Sequence, residues 1–295
     1  MFLVSRSGFV ALAGRPNVGK STLVNAMVGE KVAITSDRAQ TTRRAIRGVL
    51  TEGDTQVVLV DLPGFQRPRD LLTERMQARV ERELSDSDAA LVVVNGEEGV
   101  GPGDRYIASM VDASALPFVV AVNKCDRLDR PRTVEALAAA AGLGDVDEVF
   151  PVSARTGEGV PELAACLGAL MPEGPFLFPP DAVSDQPELT ALAELVREQA
   201  IRRTFEEVPH AVEAVIEEVD RGEEPARVRA VIWVESESQK GILVGKGGRM
   251  VKAIGTAARA EIEELLGERV HLDLSVKVRR GWRSDEGLLD RLGID

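Results

Sequence analysis

The feature that most constrains this chain is a Gly-x4-Gly-Lys-Ser motif that directly follows a short apolar run, residues 8–13. Its two glycines let the backbone wrap around a polyphosphate, Lys20 reaches the β- and γ-phosphates, and Ser21 offers a hydroxyl to Mg²⁺. A helical pattern follows at residues 22–28, which disfavours an ordinary turn. The sequence therefore predicts a phosphate-binding loop made of Gly14, Arg15, Pro16, Asn17, Val18, Gly19, Lys20 and Ser21.

A second element of the predicted site follows a hairpin with strands at residues 45–50 and 55–60. The second strand ends at Asp61, and ligands of open α/β sheets bind at the carboxyl ends of strands. Asp61 can hold Mg²⁺ through water, and the N–H of Gly64 can approach the γ-phosphate because no side chain blocks it. The predicted nucleotide contacts in this segment are Asp61, Leu62, Pro63, Gly64 and Phe65.

A third element selects the base. The carboxylate of Asp126 can accept hydrogen bonds from the N1–H and the exocyclic amine of guanine, which adenine cannot offer. Asn123 can reach the purine N7 and brace the phosphate loop, while the stem of Lys124 can lie flat on the ring. The N–H of Ala154 could donate to the guanine O6. The predicted base contacts are Asn123, Lys124, Cys125, Asp126, Ser153 and Ala154.

The apolar runs indicate the fold of this first part. Continuous Val-rich runs at residues 89–94 and 118–122 are separated by helical lengths, which is typical of parallel strands covered on both faces. We expect an α/β domain with a mixed, mostly parallel sheet and helices on both faces.

Composition limits which partners and which cellular location the chain can have. The formal net charge of −12 argues against a surface that coats nucleic acid as a whole, so any such binding must be local. The two cysteines, Cys125 and Cys166, lack metal-ligand spacing and indicate a reducing compartment. Without a signal peptide or an apolar run long enough to cross a bilayer, we expect a cytoplasmic protein with no transmembrane segment.

A proline-rich break at residues 171–181 marks a domain boundary. We predict a nucleotide-binding domain at 1–172, a linker at 173–187 and a smaller domain at 188–295. The second domain has the predicted order αββααβ, with helices at 188–207, 238–244 and 250–266 and strands at 211–219, 228–234 and 270–278.

A Gly-x-x-Gly turn with basic residues lies between the second and third predicted helices of this smaller domain. Such a turn brings two helix ends together so that a nucleic-acid backbone can pass close by. A bare turn is weak evidence, but the apolar flanks and the element order resemble a bacterial-type (type II) KH RNA-binding domain. The predicted RNA contacts are Gly245, Lys246, Gly247, Gly248, Arg249 and Lys252, with Lys277, Arg279 and Arg280 in a basic tail.

Two readings of the tail stay open, because Trp282 can stack on a base or pack on its own domain. His210 and His271 lie in or beside strands with no partner at metal-site spacing, and both are interpreted as structural.

The motifs together, in this order, resemble the translation-factor-related P-loop GTPases and, within them, the Era family. The resemblance covers the whole chain and includes Gln40-Thr41-Thr42-Arg43 in the loop before the hairpin. It implies that Thr42 is the switch threonine that closes onto Mg²⁺, with Thr41 the weaker candidate. The implied metal ligands are Ser21, Thr42 and Asp61. Leu62 departs from the family pattern, which more often has Thr there.

Hydrolysis raises a separate question, because Phe65 stands where many GTPases have a glutamine that orients the attacking water. Slow intrinsic hydrolysis is therefore expected. We hypothesise that Asn17 helps to hold a K⁺ ion beside the β- and γ-phosphates; the alternative is that it only braces the loop. The candidate catalytic residues are Lys20, Thr42, Gly64 and Asn17.

The resemblance further implies GTP/GDP and Mg²⁺ as ligands, and 16S rRNA and the small ribosomal subunit as partners in subunit assembly. Peripheral association with the membrane is implied by the resemblance alone. Two alternatives stay open: a P-loop kinase or ATPase, disfavoured by Asp126, and a KH RNA-binding protein whose nucleotide-sensing domain scarcely hydrolyses GTP.

Overall fold

The computed structural model describes residues 5–36, 38, 41–65, 68–222 and 224–294. The chain divides into two compact units. The first comprises Met1–Thr35, Thr42–Arg69 and Thr73–Asp185, and the second comprises Ser36–Thr41, Asp70–Leu72 and Gln186–Asp295. No helix in the described ranges is both long and apolar enough to span a bilayer.

The first unit is built on a six-stranded sheet whose strands are β1 (Arg6–Ala13), β2 (Ile46–Glu52), β3 (Thr55–Asp61), β4 (Ala89–Asn95), β5 (Phe118–Asn123) and β6 (Glu148–Pro151). The order across the sheet is β2-β3-β1-β4-β5-β6. The β2–β3 pair is antiparallel, as predicted for a hairpin, and the other pairs are parallel. The predicted mixed, mostly parallel sheet is confirmed.

Both faces of this sheet are covered by helices, which are α1 (Lys20–Val28), α2 (Leu71–Ser85), α3 (Pro102–Ala113), α4 (Arg130–Ala141) and α5 (Val160–Leu170). Successive residues of a strand point to opposite faces. Val10 therefore packs with α1 and α5 in one core cluster, while Ala11 packs with α2, α3 and α4 in the other. Burial on both faces explains why β4 and β5 are apolar runs without alternation.

The segment that follows α5 lies against the first unit as far as Asp185. The fully buried Gln56 holds it: its Nε2 donates to the carbonyl of Phe178 at 3.0 Å, and its Oε1 accepts from the N–H groups of Leu177 and Phe178 at 2.8 and 2.9 Å. Farther along, the N–H of Val49 donates to the carbonyl of Val183. Parts of the segment predicted as a linker are therefore hydrogen-bonded to β2 and β3 of the sheet. The domain limits given above stay a prediction.

The second unit has helices α6 (Glu188–Arg202), α7 (Val208–Ala211), α8 (Glu237–Val244), α9 (Arg249–Leu266) and α10 (Glu286–Arg291), and strands β7 (Glu213–Asp220), β8 (Ala226–Val234) and β9 (Val270–Val278). The sheet order is β7-β8-β9, with β7–β8 antiparallel and β8–β9 parallel. Leu192 of α6, Leu243 of α8 and Ile254 of α9 are fully buried in one core cluster. The predicted αββααβ order is confirmed, with the short α7 and α10 added.

Two short segments from the first half of the sequence belong to the second unit. The guanidinium of Arg38 lies 4.7 Å from the ring centroid of Phe205, within the range of a cation–π contact. Asp70 forms an ion pair with Arg283 at 2.5 Å. In each segment, a contact that involves an arginine thus connects the segment to the rest of the second unit.

We predict that Gln56→Ala lowers the free energy of unfolding of the first unit by about 2 kcal/mol, because it removes three hydrogen bonds to the part-buried backbone groups of residues 177–178. Urea unfolding followed by circular dichroism measures the change. Tryptophan fluorescence serves as an internal control, because Trp233 and Trp282, the chain's two tryptophans, both lie in the second unit. The control variant is Gln77→Ala, since Gln77 bonds to Glu81 within α2. Equal losses in both variants would contradict this account.

Candidate functional site

The phosphate loop joins β1 to α1, as predicted. Lys20 is buried, and its Nζ donates to the carbonyls of Gly14 at 3.1 Å and Arg15 at 3.3 Å. Burial lowers the pKa of Lys20 although the charge of Asp61 opposes the shift. A buried ammonium at the start of a helix favours the approach of an anion. The loop therefore has the chemistry of a phosphate site.

Other side chains of the loop face the protein. Arg15 forms ion pairs with Asp104 at 2.9 Å and Glu98 at 3.0 Å, so its guanidinium fixes the loop to the start of α3. Val18 lies in the core. For these two predicted residues, the main chain is the part that can contact a phosphate. The acidic partners of Arg15 were not found from the sequence.

The three predicted metal ligands meet at one point. The Oδ2 atom of the buried Asp61 accepts from the Ser21 hydroxyl at 2.6 Å and from the Thr42 hydroxyl at 3.1 Å, and the two hydroxyl oxygens lie 3.1 Å apart. Burial raises the pKa of Asp61, while Lys20 and the two hydroxyls act in the opposite direction. Its Oδ1 is buried without a hydrogen-bond partner among the described residues. One carboxylate and two hydroxyls are the hard oxygen donors that Mg²⁺ prefers, so the set fits this ion.

The structure separates the two threonine candidates. The Thr41 hydroxyl donates to the carbonyl of Arg38 at 2.7 Å, whereas the Thr42 hydroxyl reaches Asp61. Thr42 is therefore the threonine in the donor set. Gln40, part of the motif that carried the family resemblance, lies outside the described residues.

The segment after β3 approaches the phosphate loop through glycine. A Cβ on Gly64 would lie 3.0 Å from two atoms of Pro16, so a larger residue would press on the loop. The side chains of Leu62 and Phe65 point into the core. Phe65 therefore leaves no polar side chain at the position where many GTPases orient water, and Phe65 and Leu62 could face a nucleotide only through their main chains.

Asn123 connects two parts of the base site at the end of β5. Its Nδ2 donates to the carbonyl of Val18 at 2.8 Å, which is the predicted brace to the phosphate loop. Its Oδ1 accepts from the N–H of Lys124 at 2.8 Å and of Ala154 at 3.0 Å. The Ala154 N–H, predicted to meet guanine O6, thus donates to Asn123. The Nζ of Lys124 donates to the Asn17 carbonyl at 2.9 Å, so the lysine stem crosses to the phosphate loop.

The carboxylate of Asp126 has a partner at each oxygen. Oδ1 accepts from the Ser153 hydroxyl at 2.7 Å, and Oδ2 accepts from Arg155 at 2.6 Å. Ser153 and Arg155 lower the pKa of Asp126, so the group stays an ionised acceptor. Arg155 was missed as a partner, although its place directly after Ser153-Ala154 could have indicated it. The Sγ of Cys125 donates to the carbonyl of Val122 and takes no part in this set.

The basic turn has the predicted form. A 3₁₀ segment, Lys246–Gly248, joins α8 to α9, and the side chains of Lys246, Arg249 and Lys252 are exposed. Gly245 has a φ of 68°, and a Cβ there would lie 2.8 Å from that of Met250. The turn therefore brings the two helix ends close and leaves its cations in solvent.

Two of the predicted RNA-binding residues in the basic tail form contacts within the second unit that the sequence did not predict. Lys277 pairs with Glu217 at 2.9 Å, and the guanidinium of Arg279 lies 5.7 Å from the ring centroid of Trp233. Arg280 is exposed. Trp282 is fully buried, and its Nε1 donates to the carbonyl of Ala211 at 3.1 Å, so of the two readings the packed one is correct. The sequence analysis did not identify the partly exposed Trp233 as a neighbour of the basic tail.

Across the described ranges, no three His, Cys, Asp or Glu residues come together as a metal cluster.

Comparisons with known proteins agree with this geometry. A family model described as 50S ribosome-binding GTPase matches residues 9–124, and a KH domain model matches residues 207–283. The chain is 46% identical to GTPase Era of Mycobacterium avium (strain 104), over 98% of this chain and 99% of the relative. It is 45% identical to GTPase Era of Mycobacterium tuberculosis (strain ATCC 25177 / H37Ra), over 98% of both chains.

Two solved structures are similar over both units. One is Era in complex with MgGDPNP and nucleotides 1506–1542 of 16S ribosomal RNA, with a TM-score of 0.94, 34% identity and coverage of 98% of this chain and 99% of the other. The second is a point variant of Aquifex aeolicus Era bound to GDP.AlF4-, with a TM-score of 0.92, 34% identity and the same coverage.

We predict that Asn123→Ala weakens binding of GTP and GDP alike by about tenfold or more, because hydrogen bonds to the phosphate loop and to Ala154 are lost. Fluorescent guanine nucleotides measure the affinity. The matched control is Asn95→Ala: Asn95 is equally buried, pairs in register with Asn123 and bonds to Glu98 instead. The same loss of affinity in both variants would show a general effect on folding and contradict the assignment.

Proposed function

The chain belongs to the Era family of GTPases, and on this basis we propose that it binds 16S rRNA through its KH domain and acts in assembly of the small ribosomal subunit. It is a GTPase whose ligands are GTP, GDP and Mg²⁺. The family description names the 50S particle, but the RNA in the similar Era complex is a 16S fragment, which belongs to the small subunit. We therefore propose the small subunit as the partner.

The observation that carries the RNA proposal is the Gly-x-x-Gly turn between α8 and α9. It exposes Lys246 and Arg249 beside Gly247, where no side chain obstructs a phosphate backbone. Arg249 is exposed at the first turn of α9, whose N-terminus itself favours anions. The bound strand is proposed to be single-stranded, because KH domains clamp the backbone of unpaired nucleotides through such a loop.

The proposed roles in hydrolysis follow from the geometry. Ser21, Thr42 and Asp61 would hold Mg²⁺, which neutralises charge on the β- and γ-phosphates when it is bound. Lys20 would contact the same phosphates, and the N–H of Gly64 would donate to the γ-phosphate. Phosphoryl transfer depends mainly on positioning and on stabilising charge, so these groups supply most of the catalysis.

Phe65 is buried, and its side chain has no hydrogen-bonding group with which to orient the attacking water. We propose that Asn17 compensates by helping to hold K⁺ beside the β- and γ-phosphates. Asn17 is exposed on the phosphate loop with a φ of 64°, and its main-chain carbonyl accepts from the Nζ of Lys124. A side-chain carbonyl oxygen at this place is a suitable ligand for a monovalent cation.

We predict that wild-type turnover is about tenfold faster in potassium than in sodium, as expected for one added electrostatic contact in the transition state. Asn17→Ala should turn over equally in the two salts. Multiple-turnover phosphate release at equal ionic strength measures both. Equal wild-type rates in the two salts would contradict a role for K⁺, and a preserved potassium preference in Asn17→Ala would contradict the role of Asn17.

We further propose that the nucleotide state changes the affinity for RNA. Thr41, in the loop directly before the predicted switch threonine Thr42, belongs to the second unit, which also contains the RNA-binding turn. In GTPases such loops are ordered by the γ-phosphate and released on hydrolysis. RNA binding that depends on GTP would make hydrolysis a timer for release.

The proposed location is the cytoplasm, where ribosomal subunits assemble. Peripheral association with the inner face of the membrane is a weaker proposal, supported by the family resemblance alone.

We predict that Gly247→Asp weakens binding of a 16S 3′ fragment by about tenfold or more, because a carboxylate would repel the phosphates that Lys246 and Arg249 attract. Gly247 has a φ of 62°, so an aspartate there carries left-handed backbone strain of about 1–2 kcal/mol. Nothing lies within 4 Å of the place that a Cβ would take, so the substitution adds no steric clash. Gly267→Asp is the control, with a φ of 67° and the same open space at the end of α9. Electrophoretic mobility shifts measure the affinity. A Gly247→Asp variant that binds RNA as well as Gly267→Asp would contradict the proposal.

A further inference from the structure

A buried arginine lies in α6 of the second unit. Arg197 is fully buried, and its Nη2 and Nε donate to the two carboxylate oxygens of Glu194 at 2.5 and 3.1 Å. Glu213 of β7 lies 3.9 Å from the Nε. Burial would lower the pKa of Arg197, but the charges of Glu194 and Glu213 raise it overall. The guanidinium is therefore a fixed cation whose orientation is set by a bidentate partner.

The same Nη2 atom donates to the backbone carbonyl of Thr41, which belongs to the second unit. Stability alone does not account for this arrangement. A buried ion pair adds little over apolar residues of similar volume, because the charges must first lose their water. The Nη1 of Arg197 is also buried without a hydrogen-bond partner among the described residues, which adds to that cost.

The Thr41 carbonyl is directly connected to the metal site. It shares one planar peptide group with the N–H of Thr42, so fixing the carbonyl fixes the orientation of that group. The hydroxyl of Thr42 donates to Asp61 at 3.1 Å and lies 3.1 Å from the Ser21 hydroxyl. A shift of the peptide group would move this hydroxyl out of the donor set.

We propose that Arg197 is a positioning residue for GTP hydrolysis, which holds the Thr41–Thr42 peptide group so that the Thr42 hydroxyl reaches Mg²⁺ when GTP is bound. The inference rests on the proposed role of Thr42. It does not depend on RNA binding. It places a determinant of the reaction in a helix more than a hundred residues further along the chain, outside every nucleotide-binding motif.

The test uses the full-length chain with Arg197→Lys. Lysine keeps a positive charge beside Glu194 and Glu213, but a single ammonium cannot reproduce the forked contact with both Glu194 and the Thr41 carbonyl. We expect kcat to fall about tenfold, since small displacements of reacting groups cost this much or more. We also expect the affinity for a fluorescent non-hydrolysable GTP analogue in Mg²⁺ to fall several-fold while the GDP affinity is unchanged, because the switch threonine acts only when a γ-phosphate is present.

The matched control is Arg202→Lys, five residues further along α6, where Arg202 pairs with Glu198 at 2.7 Å and is partly exposed. Thr42→Ala serves as the reference. If Thr42→Ala leaves kcat and the GTP-to-GDP affinity ratio unchanged, the proposed role of Thr42 fails and the inference falls with it. Thr42→Ala could instead lower both kcat and the GTP-to-GDP affinity ratio. If Arg197→Lys then has the same kcat and the same ratio as Arg202→Lys, only the role of Arg197 is overturned.

A second variant covers the case in which Arg197→Lys does not fold. Glu194→Gln keeps the shape of the bidentate partner but removes its charge, so the guanidinium is held less firmly. We expect a smaller loss in the GTP-to-GDP affinity ratio, about two- to threefold, with GDP affinity unchanged. An unchanged ratio in a folded Glu194→Gln variant would overturn the proposal.

Discussion

The interaction on which the site depends is the contact of the Asp61 carboxylate with the hydroxyls of Ser21 and Thr42. A carboxylate without solvent exposure is costly unless a cation or hydrogen bonds compensate it. Here burial raises the pKa of Asp61, and the hydroxyls and the nearby Lys20 counteract part of that effect. A divalent cation would supply the rest. The end of β3, the start of α1 and the loop before β2 are thereby brought to one point.

Much of the site could be predicted because its parts are short and local. The phosphate loop, the Asp61 turn and the Asn123–Asp126 segment each follow a strand, and parallel strands bring such segments to one edge of the sheet. The partners that were missed are long-range polar contacts. Arg155 reaches Asp126, and Gln56 reaches Phe178 across 122 positions of sequence. No spacing rule links Gln56 to Phe178, because the two residues are so far apart in the sequence.

In the second unit, too, local features could be predicted from the sequence and long-range contacts could not. Its element order and its basic turn follow from apolar periodicity and glycine spacing, and both are present in the structure. The environment of each tryptophan did not follow, since Trp282 is buried against α7 while Trp233 is partly exposed beside Arg279. Whether an aromatic side chain is buried depends on which other elements pack against it, and this cannot be read from the local sequence. The same applies to Arg197, whose contact with the Thr41 carbonyl spans 156 positions.

We propose that the nucleotide held by the first unit sets how firmly the KH domain holds ribosomal RNA. The most direct test is crosslinking of the full-length protein to 16S rRNA on small subunits, mapped by nucleotide, with a non-hydrolysable GTP analogue and with GDP. We expect crosslinks from the Lys246–Arg249 turn to unpaired nucleotides near the 3′ end, with a several-fold higher yield in the GTP-analogue state. Identical positions and yields in the two states would contradict it.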